Sequence, residues 1–379
     1  MILLLCLLLT TAASHLIISV TPSNSQVSAT DLIAIKILTN ASISTGALSI
    51  SFTTDFSIGS PCLVENVTSG CTYSTTSTAK TVVFSASSFS AGTYYTLSIS
   101  VTNPIFATNF MVSASAGSTA FSNTGLVTIT PKTITCSMSS SSSVVGDVAV
   151  GYFSIGNDAL PANSVMVINS SLQTTFSNLF ASSPSCNSSG GSVPCSLSSS
   201  FGQQFLTISG LPTSANLFLN VSSVNNAPYN SSLISIFLQI QNQNGYYMQV
   251  CSFSQPAPTT LRTSTSVDVQ NWNSSVGAIS NVTITINTYF TPFTTKMLWV
   301  YDQNFTVSVL SPSSSTSLSV LGNNSLNYMA GGVASGKTLS FLAQVTNPNT
   351  RQPVVFSVYV IYSSSIFVEE YKISYLALS

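Results

Sequence analysis

Polar and apolar residues alternate along most of this chain with a period close to two. Asn281-Val282-Thr283-Ile284-Thr285-Ile286 and Gly125-Leu126-Val127-Thr128-Ile129-Thr130 are typical runs. A period of two turns one face of a strand toward a core and the other toward water. Similar runs return throughout, separated by Ser, Gly, Pro and Asn, and no stretch has the 3.6-residue period of an amphipathic helix. The pattern predicts an all-β chain of short antiparallel strands.

Three landmarks repeat. Cys62 and Cys71 return as Cys186 and Cys195, each shifted by 124 residues. Val101-Thr102-Asn103-Pro104 is answered by Val224-Asn225-Asn226-Ala227-Pro228, its proline again 124 residues on, and by Val345-Thr346-Asn347-Pro348 a further 120 on. Each copy follows one alternating run (Tyr95–Ile99, Leu217–Val221, Thr338–Leu342) and precedes another (Phe110–Val112, Ile234–Leu238, Val355–Tyr359). A repeat on this scale means one supersecondary unit used several times. The expected division is a signal peptide at 1–14, then units at 15–130, 131–258 and 259–379. About seven short strands in roughly 120 residues fit an immunoglobulin-like or fibronectin-like antiparallel β-sandwich. Three such sandwiches in tandem are the expected fold. Proline lacks the ladder N–H, so Asn-Pro should end a strand and open the loop between the last strands, with no binding role.

A two-Cys segment, alternating strands ending in Val-Thr-Asn-Pro, then a strand with a central Phe resembles the tandem β-sandwich repeats of large extracellular proteins of ciliated protozoa. The resemblance covers the first two units, and the third only from about Lys337 onward, where the Cys pair is missing. It implies surface or extracellular placement and brings no catalytic or binding residue with it.

Composition narrows the class of function. Only 8 basic and 9 acidic residues are present in 379, or 4% charged, against about 25% in an ordinary soluble protein. Ser and Thr together number 118 and fill the gap. A net charge of −1 offers no electrostatic footprint for nucleic acid or anionic lipid. The positive mean hydropathy of +0.43 reflects the missing charges, because no run after the first dozen residues approaches the roughly 20 apolar residues of a membrane span.

Met1–Leu9 is an apolar run followed by Thr10-Thr11-Ala12-Ala13-Ser14, which suits signal peptidase and a mature chain starting near His15. The n-region has no Lys or Arg, so a truncated anchor or a mis-set start is the competing reading. Removing Cys6 with the signal leaves six cysteines. Six allow 15 pairings, which sequence alone does not resolve. The repeat narrows them, since Cys62–Cys71 and Cys186–Cys195 stand at equivalent places and leave Cys136 to pair with Cys251. Disulfides are expected rather than zinc, because a secretory chain oxidises its thiols and the only histidine is His15.

Sequons fall at Asn40, Asn66, Asn169, Asn187, Asn220, Asn230, Asn273, Asn281, Asn304 and Asn323. A chain so rich in Asn, Ser and Thr makes some by chance, and placement matters more than number. Asn66 and Asn187 lie inside the two small Cys loops. Asn220 and Asn281 fall in predicted strands, where only the outward face accepts a glycan. The serine runs at Ser139–Ser143 and Ser313–Ser315 are candidates for O-glycans.

Little else promises chemistry. Gly331-Gly332-Val333-Ala334-Ser335-Gly336-Lys337-Thr338 matches the phosphate-loop pattern but leads into a strand, where that loop needs a helix N-terminus. A single His leaves no base for a Ser-His-Asp site. Carboxylates at Asp31, Asp55, Glu65, Asp147, Asp158, Asp268, Asp302, Glu369 and Glu370 are too dispersed for glycoside hydrolysis or calcium. No enzyme and no cofactor is expected. Tyr94-Tyr95, Tyr246-Tyr247, Trp272 and Trp299 are the candidates for a sugar-stacking platform.

These readings converge on a secreted or cell-surface structural glycoprotein, a subunit of an extracellular coat, adhesive layer or self-assembling fibre. Its expected partners are copies of itself or other extracellular glycoproteins, with covalent glycans and no membrane span in the mature chain. Uncharged sheet edges template pairing, and Leu16-Ile17-Ile18-Ser19-Val20 is the candidate strand for donation to a neighbour. The alternative is an ectodomain that binds glycan or protein through loops at one end of a sandwich. An outer-membrane barrel fits less well, because a repeat near 120 residues with loop disulfides argues against one closed sheet.

Overall fold

The computed structural model describes residues 15–170, 179–181, 183–200, 203–227 and 234–263, and beyond them 267–287, 294–301, 306–311, 317–320, 325–331, 338–350, 353–362 and 366–376. Among the described residues every regular element is a strand. Six sheets form, and they segregate in pairs along the sequence, two drawn from residues 16–128, two from 132–254 and two from 262–376.

The first pair uses β1 (Leu16–Thr21), β2 (Thr30–Thr39), β3 (Leu48–Phe52), β4 (Ser57–Val64), β5 (Val67–Ser69) and β6 (Cys71–Thr75). It continues with β7 (Lys80–Phe84), β8 (Thr93–Thr102), β9 (Asn109–Ala116), β10 (Thr119–Ala120) and β11 (Gly125–Thr128). One sheet runs β1-β2-β8-β4-β5; the other runs β10-β9-β3-β7-β6, with β11 also on β9. The period-two pattern now has its cause. Ile33, Ile35 and Ile37 of β2 and Leu97, Ile99 and Val101 of β8 face Leu48, Ile50 and Phe52 of β3 across one buried core. Each such side chain contributes about 1.5–3 kcal/mol when removed from water.

The middle pair uses β12 (Lys132–Thr133), β13 (Cys136–Ser140), β14 (Val148–Ile155), β15 (Val165–Ser170), β16 (Cys186–Ser188) and β17 (Gly191–Val193). Then come β18 (Cys195–Ser200), β19 (Gln203–Ile208), β20 (Leu217–Asn225), β21 (Ser235–Gln241) and β22 (Tyr247–Ser254). Its sheets are β13-β14-β20-β16-β17 and β12-β22-β21-β15-β19-β18. The strands outnumber the expected seven in part because Cys62–Cys71 and Cys186–Cys195 each sit in short extra hairpin arms.

Those arms explain the disulfides. Cys62 lies in the sheet of β4 and Cys71 in the sheet of β6, so their bond staples one sheet to the other. Cys186–Cys195 does the same in the middle unit, and so does Cys136–Cys251 across 115 residues. All three pairings agree with the repeat argument, and all three join facing sheets.

The Asn-Pro landmark proves to be about its asparagine. Asn103 Nδ2 donates to the carbonyls of Asn24 and Gln26 at 2.7 and 2.9 Å. Asn226 Nδ2 does so to Ser142 and Val144, both at 2.8 Å, and Asn347 Nδ2 to Asn273 and Ser275 at 2.7 and 2.8 Å. Each Asn is buried and clamps the tight loop between the first two long strands of its unit. The following carbonyl then accepts from the turn: Pro104 from Ser28 N, Ala227 from Gly146 N and Pro348 from Gly277 N. Pro104 therefore corresponds to Ala227, and the sequence alignment of Pro104 with Pro228 was one residue out of step. Proline is dispensable there because only the carbonyl is used. The loop also opens the connection from β8 to β9, ahead of two further strands rather than between the last ones.

The clamped loop holds the way out of each unit. Thr130 N donates to Ser25 O at 2.7 Å and its carbonyl accepts from Val27 N at 3.0 Å. Two residues later the chain is already in the next unit, where Lys132–Thr133 runs parallel to Gln249–Val250. The pattern returns at Thr260, bonded to Ser143 and Val145, with Arg262–Thr263 parallel to Glu369–Glu370. Around the first joint the Phe106 ring stacks on Tyr246 at 5.1 Å, and Ala107 N donates to Tyr247 O at 2.7 Å.

Candidate interaction surface

The sequons divide by the side of the strand they occupy. Asn40, Asn66, Asn187, Asn220, Asn273 and Asn281 are exposed. Asn169 is the exception: it is half-buried in β15, its Nδ2 donates to Gln203 Oε1 at 3.2 Å, and its Oδ1 is buried. A glycan there would take the Nδ2 out of that bond, which sets Asn169 apart from the exposed sequons. Asn230, Asn304 and Asn323 lie outside the described residues.

The candidate donor strand is occupied. Leu16, Ile17, Ser19 and Val20 pair antiparallel with β2 of their own unit, with a bulge at Ile18. Asn123 fixes the same segment, accepting from Ile17 N at 2.8 Å and donating to Ile17 O at 2.6 Å. Donation to a neighbour would require this pairing to open. Residues 1–14, expected to be a signal peptide, and residues 332–337 of the phosphate-loop pattern lie outside the described residues, and Thr338 opens a strand.

The carboxylates do local work. Asp31 is buried and one oxygen accepts from Ser23 N, Ser23 Oγ and Asn24 N, which shapes the first clamped loop. Glu65 accepts from Thr96 N. Asp158 pairs with Lys132 at 2.7 Å, but both are well exposed and the pair contributes about 0–1 kcal/mol. Among the described residues no three potential ligands cluster as a metal site. His15 is buried against Phe121, with ring centroids 5.0 Å apart, and desolvation holds its pKa below the ordinary value of 6.5.

The aromatic candidates separate too. Tyr94 points outward beneath Lys36 Nζ, 5.3 Å from the ring centroid, while Tyr95 turns inward onto Phe89. Tyr246 is engaged at the joint with Phe106. Trp272 is half-buried and the Trp299 side chain lies outside the described residues. Among the described side chains, Tyr95 and Tyr246 are thus already engaged with other rings of the chain.

Two further exposed rings stand on adjacent strands elsewhere. On the outer face of the sheet β13-β14-β20-β16-β17, Ser139, Tyr152, Asn220 and Asn187 stand in one cross-strand row. Ser137, Ser154 and Phe218 form the next row. Phe218 is 58% exposed and Tyr152 43%, and the two are diagonal neighbours on adjacent strands. Between them lies a shallow depression of about 310 Å³ floored by serines. Only hydroxyls, amides and ring faces are offered, with no charge. The sequence reading missed Tyr152 and Phe218 because it singled out only the Tyr-Tyr pairs and the two tryptophans, and Tyr152 is instead followed by the buried Phe153. The available signal was the spacing of Phe218 and Asn220, two apart in a strand and therefore on one face.

No protein-family model and no curated protein matches the chain. Solved structures similar to it include the AgI/II polypeptide BspA C-terminal domain of Streptococcus agalactiae, at 10% identity and a TM-score of 0.24, covering 64% of this chain and 99% of that one. Another is a membrane-anchored protein from Corynebacterium diphtheriae, at 11% identity and a TM-score of 0.22, covering 94% of this chain and 90% of that one. A third is the type II cohesin dyad of the adaptor ScaA scaffoldin from Acetivibrio cellulolyticus, at 9% identity and a TM-score of 0.22, covering 63% and 96%.

Proposed function

We propose that this chain is a structural glycoprotein of an extracellular or cell-surface layer, built as a stiffened tandem array and without catalytic activity. The observation that carries this reading is the repeated joint. At Thr130 and again at Thr260 the exit strand is bonded to the clamped loop of the unit it leaves, then pairs within two or three residues with the last strand of the unit it enters. A joint without free linker residues resists bending, which suits a coat, adhesive layer or fibre. Three disulfides that staple sheet to sheet favour an oxidising compartment outside the cytosol. Its partners would be further copies or other extracellular glycoproteins, meeting through surfaces other than the occupied Leu16–Val20 strand.

Antibody labelling of intact, unpermeabilised source cells and of their secreted material tests this. A surface or secreted signal in an insoluble layer is expected; labelling that appears only after permeabilisation would sink the reading. A second reading, a glycan-binding ectodomain, is favoured by the exposed Tyr152 and Phe218 rings. It predicts saturable, sugar-specific binding on a glycan array.

A further inference from the structure

Two exposed rings lie beside serines and amides on the outer face of this sheet, and the sequence supplies an occupant for them on the same strand. Asn220-Val221-Ser222 is a sequon. Asn220 is exposed on the outer face, and Phe218 precedes it by two positions on that face, roughly 7 Å away at the strand's rise per residue. Tyr152 stands directly opposite Asn220 on β14, a cross-strand distance of about 5 Å. A pyranose offers one face of C–H groups, and an aromatic ring face carries the negative end of its quadrupole. Contact between the two needs no charge, in keeping with a surface that has none here.

We propose that Asn220 carries an N-linked glycan whose first sugar lies across Phe218 and Tyr152, so that the chain covers this shelf with its own carbohydrate. The inference rests on the reading of a secreted glycoprotein. The neighbouring sequon is its internal control. Asn187 stands directly opposite Asn220 on β16, but the residue two before it is Ser185, whose N–H and hydroxyl are bonded to Ser222 Oγ at 2.7 and 2.9 Å. Asn187 therefore shares the face and the row without an aromatic at that position. A glycan on it has no ring of its own strand to lie on. Coverage by the chain's own sugar also accounts for exposed Phe218 in a protein that has almost no charge to keep copies apart.

The test is secretion of the full chain from a eukaryotic host, with glycopeptide mass spectrometry at Asn40, Asn66, Asn187, Asn220, Asn273 and Asn281. Occupancy at Asn220 is expected, together with native release of its glycan by an amidase about fivefold slower than in Phe218→Ser, the weight of one aromatic contact. Release at Asn187 should be equal in the two proteins. Asn220→Gln should lower the thermal midpoint of the parent but not that of Phe218→Ser, a coupling that a merely structural phenylalanine would not give. A bare Asn220 beside occupied sequons would overturn the inference alone, as would equal release rates. Carbohydrate absent from every sequon would overturn the glycoprotein reading with it. Saturable binding of a free oligosaccharide to Asn220→Gln, lost in Phe218→Ser, would assign the shelf to a foreign glycan and overturn it too.

Discussion

The first and middle units answer one structural problem in two ways. In both, the opening strand must be held against the last strand so that the two sheets stay closed. The equivalence of positions follows from register. Ile17 opposes Ile37 as Cys136 opposes Ile155, and Gly125 opposes Val112 as Cys251 opposes Leu238. The bonds Ile129 N to Thr108 O and Gln255 N to Ile234 O fix the same offset of 126 residues. The middle unit therefore places Cys136–Cys251 where the first places Ile17 over Gly125. One solution is covalent. The other is packing so close that a Cβ on Gly125 would lie 3.1 Å from Ile17 Cγ2 and collide with Val20. A chain that repeats a unit keeps the contact and changes the chemistry that makes it.

The largest effect should come from removing the covalent solution. Closing a 115-residue loop restricts the unfolded chain far more than closing one of nine. The loop-closure estimates are about 5 and about 2.5 kcal/mol. Cys136→Ser with Cys251→Ser should lower the denaturant midpoint of the middle unit steeply and leave the first unit's transition in place. An equal loss on removing Cys62–Cys71 would break the comparison. The packed solution should be hard to alter in the opposite direction: Gly125→Ala is expected to cost the first unit about 2–3 kcal/mol by overpacking. The same urea titration reads it, and a neutral result would mean that β1 can retreat from β11.

The clamps offer a finer contrast. Asn226 Oδ1 accepts from Ser140 Oγ at 2.8 Å, whereas the Oδ1 atoms of Asn103 and Asn347 are buried without a partner. The turn differs as well, with Ser28 held at φ 55° where the other units have Gly146 and Gly277 at 60° and 67°. A left-handed serine costs roughly 1–2 kcal/mol more than glycine. The first unit's clamp is thus the poorer one. Asn226→Ala should destabilise by about 1 kcal/mol more than Asn103→Ala, the worth of the additional hydrogen bond. Ser140→Ala in the same series should abolish that difference.

Much of this was legible in the chain before its fold was known. Period-two runs such as Tyr95–Ile99 and Leu217–Val221 are strands because alternation is a local property of backbone geometry. The three disulfides followed from the repeat because equivalent cysteines occupy equivalent places. The clamp did not follow. A proline is conspicuous in sequence, but what matters is an amide reaching two carbonyls 77 to 79 residues away, and no local pattern encodes so distant a contact. Asn169 escaped for a related reason: it alternates outward as Asn220 does, and both lie between paired strands, yet the Asn169 amide is engaged with Gln203 of the neighbouring strand. Tyr152 and Phe218 became a pair only when register brought β14 beside β20.

The smallest contrast is in pH. His15, the only histidine, belongs to the first unit, where burial against Phe121 lowers its pKa from 6.5. The sign follows from linkage. Below pH 6.5 the unfolded chain takes up a proton that the folded chain resists, so the unfolded state binds more protons and gains stability relative to the native one. The contribution of neutral His15 is complete above the unfolded value and is lost as pH falls from 6.5 toward the lowered folded value. The first unit should therefore soften between neutral and mildly acidic pH, while the middle unit, with no histidine, has nothing of this kind to titrate there. Thermal melts of the full chain at pH 7.5 and pH 5.5 should show the first unit's transition moving down and the middle unit's holding. His15→Gln should remove the shift; if the shift persists in that variant, the buried imidazole is not its source.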